Sequence, residues 1–507
     1  MDLNFDLHPE DEHDRRLVRN VHPPDWRNPT PDGRYNLVVI GAGTAGLVAA
    51  AGAAGMGAKV ALVERHLMGG DCLNVGCVPS KAIIRSAHAA HAVSDAGRFG
   101  IRVPDRVEVD FEAVMDRVRR VRADISPHDS ARRFTDHYGV DVYFGDARFT
   151  GRDRIEVAGQ ELVFARAVIA TGARAAVPPI PGLAGSGYLT NHTIFNLSVQ
   201  PRRLAVIGGG PIGCELAQTF ARLGSEVTLV EMIDQLLPRE DLDAAEVLRA
   251  SLEGDGIRVL LSTRFEGVDV SGSAKHLFVS APDGHRQIEV DEIFIGMGRR
   301  PNIEGLALEA AAVAFDRDGV TVDDCLRTSN PLIYASGDVC LPAKFTHVAD
   351  AASRAVLQNA LFPGPRKRFS KLTLAWSTYT DPEIAQVGLS AAEARDRGLE
   401  AETITVAMAD VDRALAEGDT DGFLKIHVHP KKGTIYGATM VCRRAGDLIS
   451  EITTAMHAGL GLGDMAAVIH PYPTVAEAVR KAADHFNRRK LTPLVARILE
   501  RWFAWQR

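Results

Sequence analysis

An α/β protein is predicted, with two Rossmann-like dinucleotide-binding domains followed by a C-terminal α+β domain. Three observations carry this. A strand–glycine loop–helix–strand–acid pattern occurs twice, a cysteine pair stands shortly after its first occurrence, and a different run of strands and helices follows a basic, Pro/Gly-containing linker.

In the first pattern, the apolar run Tyr35–Ile40 reads as a buried strand entering Gly41-Ala-Gly43-Thr-Ala-Gly46. An Ala-rich helix, a strand over Lys59–Val63 and Glu64 follow. The glycines permit a tight turn and let a pyrophosphate approach the helix N-terminus, while Glu64 can accept from ribose hydroxyls. A glycine signature alone is weak; with strand, helix and acid in place it is specific.

The second pattern runs from Arg203–Ile207 through Gly208-Gly-Gly210-Pro-Ile-Gly213, a helix to Leu223 and a strand over Glu226–Val230, to Glu231. Two units predict two nucleotides, one tightly bound and one exchanging. Glu231 would pair with the NADH ribose and repel a 2′-phosphate, and Met232-Ile233-Asp234 offers no arginine. NADH is therefore expected over NADPH. The segments Ala167–Gly172 and Leu332–Asp338 read as strands ending in glycine turns, and Ile293–Gly298 with Arg299–Asn302 closes the second unit.

The expected division is a polar N-terminal extension (1–34), a first nucleotide domain in two parts (35–187 and, with the linker, 306–370), a second between them (188–305), a C-terminal domain (371–490) and an amphipathic tail (491–507). A chain of 507 residues and net charge −7, with no dominant basic block, argues against nucleic acid as a partner. Six cysteines are too few for a secreted disulfide framework. Met1–Arg34 is charged and Pro-rich, without a signal-peptide core, and no apolar run is long enough to span a bilayer. A cytoplasmic protein is expected.

Between the two units lies Gly69-Gly-Asp-Cys72-Leu-Asn-Val-Gly-Cys77-Val-Pro-Ser-Lys81. Residues five apart in a regular helix sit on different faces, beyond the roughly 4.4–6.8 Å between Cα atoms that a disulfide tolerates. Bridging Cys72 and Cys77 predicts a distorted first turn, which Asn74 and Gly76 permit and Pro79 punctuates. Such a bond is labile, and a thiol near a helix N-terminus supplies a ready thiolate. Two buried cysteines without redox chemistry are the plainer alternative. Cys214, Cys325, Cys340 and Cys442 have no metal-ligand spacing and read as buried structural residues; no metal site is expected.

These motifs together resemble the flavin-dependent pyridine nucleotide–disulfide oxidoreductases, which include lipoamide dehydrogenase, glutathione reductase and mercuric reductase. The resemblance runs from about Tyr35 to Leu491. It implies FAD on the first unit, contacted by Gly41, Gly43, Gly46, Glu64, Lys81, Thr171, Gly172 and Asp338, with Ala147 and Thr346 as weaker carry-overs. It implies a nicotinamide cofactor on Gly208, Gly210, Gly213, Glu231 and Gly298. The segment from about Lys371, including Thr380–Gly388, resembles the family's dimerisation domain, so a homodimer is expected. Electrons would pass from nicotinamide through flavin to the Cys72–Cys77 disulfide, Cys77 lying against the flavin and Cys72 exchanging with a small-molecule acceptor. Lys81 and Glu215 match a family ion pair beside the flavin, the lysine stabilising negative charge on the reduced ring. The plainer reading of both is ordinary helix surface charge.

One departure is chemically large. Disulfide-reducing relatives carry His-Pro-Thr-x-x-Glu, whose histidine reaches the other subunit's site. Here the run is His470-Pro471-Tyr472-Pro473-Thr474-Val-Ala-Glu477, with Tyr472 in the histidine position and Glu477 in its partner's. A tyrosine titrates near ~10 rather than ~6.5, so it is no base at neutrality. His470 could substitute if an extended backbone put it on Tyr472's face. Tyr472 instead matches mercuric reductases, although no Cys-x-x-Cys domain precedes the first unit and Arg501–Arg507 contains no cysteine pair. Soft Hg(II) wants thiolates, so the mercury role is the open point.

The expected function is a mercuric-reductase-like NADH oxidoreductase acting on a soft metal ion or a reactive sulfur or oxidant species. A lipoamide-dehydrogenase-like disulfide reductase and a low-turnover flavoprotein redox sensor are the alternatives. In the tail, Leu494, Val495, Ile498, Trp502, Phe503 and Trp505 alternate with arginines. This suits weak contact with a membrane surface, or, more ordinarily, packing on the protein or its dimer mate.

Overall fold

Apolar runs and glycine turns become a mixed, mainly parallel sheet in the computed structural model, which describes residues 5–104, 108–272 and 274–507. By internal contacts the chain divides into two units. The first comprises Met1–Gly208, Thr219–Val230 and Arg264–Leu372; the second comprises Gly209–Gln218, Glu231–Thr263 and Thr373–Arg507.

The first unit opens with α1 (Glu12–Val21), β1 (Arg34–Ile40), α2 (Thr44–Gly55) and β2 (Val60–Glu64). Next come α3 (Gly70–Asn74), α4 (Cys77–Ser94) and α5 (Phe111–Ile125), then β3 (Asp141–Phe144), β4 (Ala147–Gly151), β5 (Arg154–Val157) and β6 (Gln160–Ile169). The second glycine pattern supplies β7 (Arg203–Ile207), α6 (Pro211–Arg222) and β8 (Glu226–Val230). An antiparallel set β9 (Arg264–Ser271), β10 (Ala274–Ala281) and β11 (Gly284–Val290) leads to β12 (Glu292–Ile295), β13 (Ile333–Ala335) and α7 (Thr346–Leu361).

The main sheet has the order β3-β2-β1-β6-β5-β4, with β13 also paired to β6. Val39–Ile40 and their parallel neighbours are wholly apolar because both sheet faces are covered, one by α2 and the other by β4, β5 and the segment 306–313. The register sets Ile40 opposite Val63 and Ile169, and Ala335 opposite Ile169. Four strands thus end in line. Gly41, Glu64, Thr171–Gly172 and Gly337–Asp338 gather at one sheet edge, where open α/β sheets bind ligands. Strands β8, β7 and β12 repeat the arrangement, Ile207 lying opposite both Val230 and Ile295.

The N-terminal extension is not a free polar leader. Helix α1 packs on α5, burying Leu17 and Val21 completely, because its apolar positions fall on one face of an otherwise charged helix.

In the second unit, β14 (Ala375–Thr378), β15 (Glu383–Gly388), β16 (Glu402–Ala407), β17 (Phe423–Val428) and β18 (Ile435–Cys442) form an antiparallel sheet in the order β14-β15-β18-β17-β16. Helices α8 (Ala445–Ala458) and α9 (Glu477–Arg488) cover it, with Leu424, Ile426, Met440, Ile452 and Phe486 in the core. The last helix, α10 (Pro493–Trp505), has no buried residue. No helix among the described residues is long and apolar enough to cross a membrane.

Candidate active site

The first glycine loop is shaped by close backbone approach. Gly41 has φ +103°, and a Cβ there would lie 2.4 Å from Ala170 O; a Cβ on Gly46 would lie 1.8 Å from Gly41 O. Gly43 is the N-cap of α2 and provides no side-chain cap, so the first N–H groups of that helix remain available to an anion. Buried Glu64 accepts from Ala42 N (2.7 Å) and His66 N (2.8 Å), and burial pushes its carboxyl above the usual range. Asp338 pairs with Arg299 (3.3 Å), and its carboxyl too is raised by burial. Thr171 and Gly172 are tied to Asn302: Thr171 Oγ1 donates to Asn302 O (2.7 Å), and Asn302 N donates to Gly172 O (3.0 Å). Ala147 is buried at the start of β4.

The cysteine segment begins against this loop, Gly69 N donating to Ala42 O at 2.8 Å. The expected distorted turn is a break between two helices. α3 stops at Asn74, and α4 starts at Cys77 after Gly76 at φ −138°, ψ −116°. A Cβ on Gly76 would stand 2.7 Å from Asp71 O, so glycine lets the chain fold back towards Cys72. Both cysteines are free thiols, Cys77 exposed and Cys72 half-buried. The Cys77 sulfur lies 3.2 Å from Thr346 Oγ1, the first residue of α7, and Cys77 itself opens α4. Two helix N-termini therefore meet at this sulfur and favour negative charge on it. The hydrogen bond with Cys77, and then burial, push the Cys72 thiol well up. Thr346, expected beside the cofactor, is thus also a partner of the thiol. Lys81 sits half-buried in the first turns of α4.

Sequence reasoning named neither Arg299 nor Asp129 as a site residue. Arg299 ties Asp71, the neighbour of Cys72, to Asp338 and donates to Ala173 O (2.5 Å). Its motif run, Arg299–Asn302, was the available signal. Asp129 has no motif. It lines a cavity of about 200 Å³ with Thr44, Leu47, Val48, Gly69, Cys72, Leu73, Val78 and Ile125, and burial raises its carboxyl. Cys72, and not Cys77, lines that cavity.

At the second glycine loop, Gly208 has φ +111°, and a Cβ there would lie 2.6 Å from Gly296 O. Half-buried Glu231 accepts from Gly209 N (2.6 Å) and Ile233 N (3.1 Å). Gly210 has open space where a Cβ would stand, Gly213 lies in the first turn of α6, and Gly298 has φ +102° with its carbonyl bonded to Ala176 N (2.9 Å). Glu215 is buried and accepts from Tyr379 N at 2.9 Å.

His470 and Tyr472 do not share a face. His470 Nε2 pairs with Glu451 (2.8 Å), whereas Tyr472 is 72% exposed and donates its hydroxyl to Asp412 at 3.0 Å. That bond pushes the Tyr472 hydroxyl further above its ordinary value. Glu477 opens α9, buried beside Arg480. The expectation for the remaining cysteines divides. Cys214 and Cys442 are buried, whereas Cys325 and Cys340 are half-buried because they lie in loops. Among the described residues no group of three or more His, Cys, Asp or Glu side chains is placed to hold a metal ion.

Two nucleotide folds with a thiol pair at a helix break define a dithiol oxidoreductase. The chain belongs to the pyridine nucleotide-disulphide oxidoreductases: that family's model matches residues 35–358, and its dimerisation domain matches 374–483. It is 34% identical to mercuric reductase from Lysinibacillus sphaericus, over 90% of this chain and 83% of that protein. It is 35% identical to dihydrolipoyl dehydrogenase from Thermus scotoductus, over 90% and 98%. Among solved structures it is similar to the HOCl-induced flavoprotein disulfide reductase RclA from Escherichia coli (TM-score 0.78, 29% identity, 88% and 99% covered). It is also similar to LpdA from Mycobacterium tuberculosis (TM-score 0.80, 28%, 89% and 99%). The family uses FAD and NAD(P)H, and the dimerisation domain supports a homodimer. The first unit fits the flavin nucleotide: Gly41 and Gly46 let the loop close against Ala170 and against itself where any Cβ would clash with backbone, and the start of α2 offers uncapped N–H groups.

Proposed function

We propose that this enzyme draws electrons from NADH and reduces a small, soft electrophile at Cys72, in the manner of a mercuric reductase. The carrying observation is that the Cys72 sulfur lines a mostly apolar cavity of about 200 Å³. This is below the ~300–1,000 Å³ of pockets that take drug-sized ligands, in keeping with a small acceptor.

FAD bound on the first glycine loop supplies two-electron chemistry between nicotinamide and the thiol pair. Gly41, Gly43 and Gly46 bind its phosphates, Glu64 and Asp338 orient it, and Lys81 stabilises negative charge beside it. The Cys72–Cys77 disulfide takes up two electrons and one proton to become a Cys72 thiol and a Cys77 thiolate, and gives up both electrons and that proton when the acceptor is reduced. Cys77 carries the negative charge. Cys72 holds its proton until the acceptor enters, and Asp129 stands in the same cavity as the proton relay. A soft metal ion, arriving as a thiolate complex, suits two sulfurs; a structure of RclA is a Cu(II) complex. Reactive sulfur or oxidant species suit them too, given that RclA is HOCl-induced. Tyr472 and Glu477 are read as the partner subunit's contribution to each site, and His470 as structural. Glu231 is read as selecting NADH.

The test is anaerobic NADH consumption by the FAD-loaded protein with Hg(II)–thiol complex, lipoamide or glutathione disulfide, and Cys77→Ser as control. Fast Cys77-dependent turnover with Hg(II) alone supports the proposal. Turnover with lipoamide and not Hg(II) replaces it with the disulfide-reductase reading.

A further inference from the structure

We propose that the N-terminal extension is a brace for the redox loop, acting through the buried relay Asp14–Arg122–Asn74 and setting the dithiol–disulfide equilibrium of Cys72 and Cys77. The extension lies outside the family match at 35–358. Yet Asp14 on α1 is 2% exposed and Arg122 on α5 is 0% exposed. Arg122 donates one guanidinium nitrogen to Asp14 Oδ1 (2.8 Å) and another to the Asn74 carbonyl (3.0 Å). Asn74 is the last residue of α3, between the two cysteines, and its carbonyl is one that a helix end leaves without an intrahelical donor. The Asn74 amide in turn donates to Gly70 O (2.8 Å) and Met68 O (3.1 Å), closing the loop on itself. A second strap runs beside the first, with Met68 N donating to the carbonyl of Val21, the last residue of α1, at 3.1 Å.

Such a pair is a poor choice for stability alone. Burying both charges costs about as much as their attraction returns, and apolar residues of the same volume often do as well. Asp14 Oδ2, Arg122 Nε and Asn74 Oδ1 are also buried with no hydrogen-bond partner among the described residues. What a planar guanidinium gives, and a greasy contact does not, is a fixed direction between two acceptors. Here one acceptor is the extension and the other is the peptide that sets where Cys72 stands relative to Cys77. Releasing that peptide lowers the effective concentration of one thiol for the other and weakens the disulfide.

This rests on the redox role proposed for the pair. The test uses full-length FAD-bound protein, equilibrated in glutathione/glutathione disulfide buffers, with the disulfide fraction read by alkylation and mass. Disulfide formation, releasing two electrons and two protons to the buffer, is expected to weaken about tenfold in Arg122→Met, a potential about 30 mV more positive. Arg122→Lys keeps the charge towards Asp14 but cannot hold both acceptors, and should fold normally while still weakening the disulfide. Leu17→Ala, buried on α1 but outside the relay, should lower thermal stability and leave the potential in place. An unchanged or stronger disulfide in both Arg122 variants, or a shift in Leu17→Ala equal to theirs, overturns the brace. A wild-type chain that forms no Cys72–Cys77 disulfide overturns the redox reading itself, and the brace with it.

Discussion

The two nucleotide units use one hydrogen-bond device at two depths. In the first, Glu64 accepts from the second residue of the glycine loop, Ala42, and from His66 two residues on. In the second, Glu231 does the same with Gly209 and Ile233. Glu64 is buried, Glu231 half-buried. Both acids hold the loop in the same way, but only the first loop is bonded to the cysteine segment, Gly69 N donating to Ala42 O.

The largest effect that sharpens this contrast comes from the glycines. Gly46→Ala puts a methyl 1.8 Å from Gly41 O and should cost about 3 kcal/mol or more, leaving protein without flavin. Gly210→Ala meets nothing within 4 Å and should leave flavin content and melting temperature unchanged while raising the KM for NADH. Flavin absorbance per chain and thermal unfolding check both, and equal flavin loss in the two variants would erase the distinction.

Next is cofactor choice. Glu231→Ser should cut the preference for NADH over NADPH by about 10–100-fold, or ~1.4–2.7 kcal/mol, seen in the ratio of kcat/KM values. Tyr472→Phe should lower turnover with Hg(II)–thiol complex about tenfold, on the ~10²–10⁴ scale of general acid–base effects or below it, with His470→Gln near wild type. The reverse ranking would hand the acid–base role to His470.

A pH effect is expected in the second unit. Burial pushes Glu240 up to about 7, against the pull of its hydrogen bond from Trp376 (2.6 Å). A carboxyl raised in the fold binds its proton more tightly there than in the unfolded chain. Its stabilising contribution is complete below the unfolded value and is lost as pH rises through about 7. The second unit should therefore melt lower at pH 8 than at pH 6, and Glu240→Gln should flatten that difference. The smallest effect is expected from deleting 492–507. With no buried residue in α10, the melting temperature should move by less than the equivalent of ~0.5 kcal/mol. Loss of binding to anionic vesicles by the deletion would assign the tail to a membrane surface; a loosened dimer would assign it to the partner subunit.

Much of the site is written locally. Each glycine loop, its strand and its acid lie within about thirty residues, and the steric demand on Gly46 comes from Gly41 in the same loop, although Gly41 and Gly208 face Ala170 and Gly296 from strands distant in the chain. The helix break at Gly76 follows from the spacing of Cys72 and Cys77 and the torsions glycine allows. Asp129 and Arg122 were illegible for the opposite reason. Neither belongs to a motif, and each gains its role from elements distant in the chain. His470 and Tyr472 stand two apart, yet Glu451 and Asp412 draw them to different partners, which an extended-strand argument does not foresee. The polar composition of 1–34 likewise concealed that Asp14, Leu17 and Val21 share a buried face.

The sequence by itself determined the two nucleotide units, the thiol pair between them and the family. Those depend on short-range backbone geometry and on residue types only such chemistry needs. Tertiary structure alone decided the surroundings of each thiol, what lines the cavity beside Cys72 and what the redox loop is bonded to. Hydrogen bonds, burial and helix ends are contributed by segments that the chain brings together only when it folds.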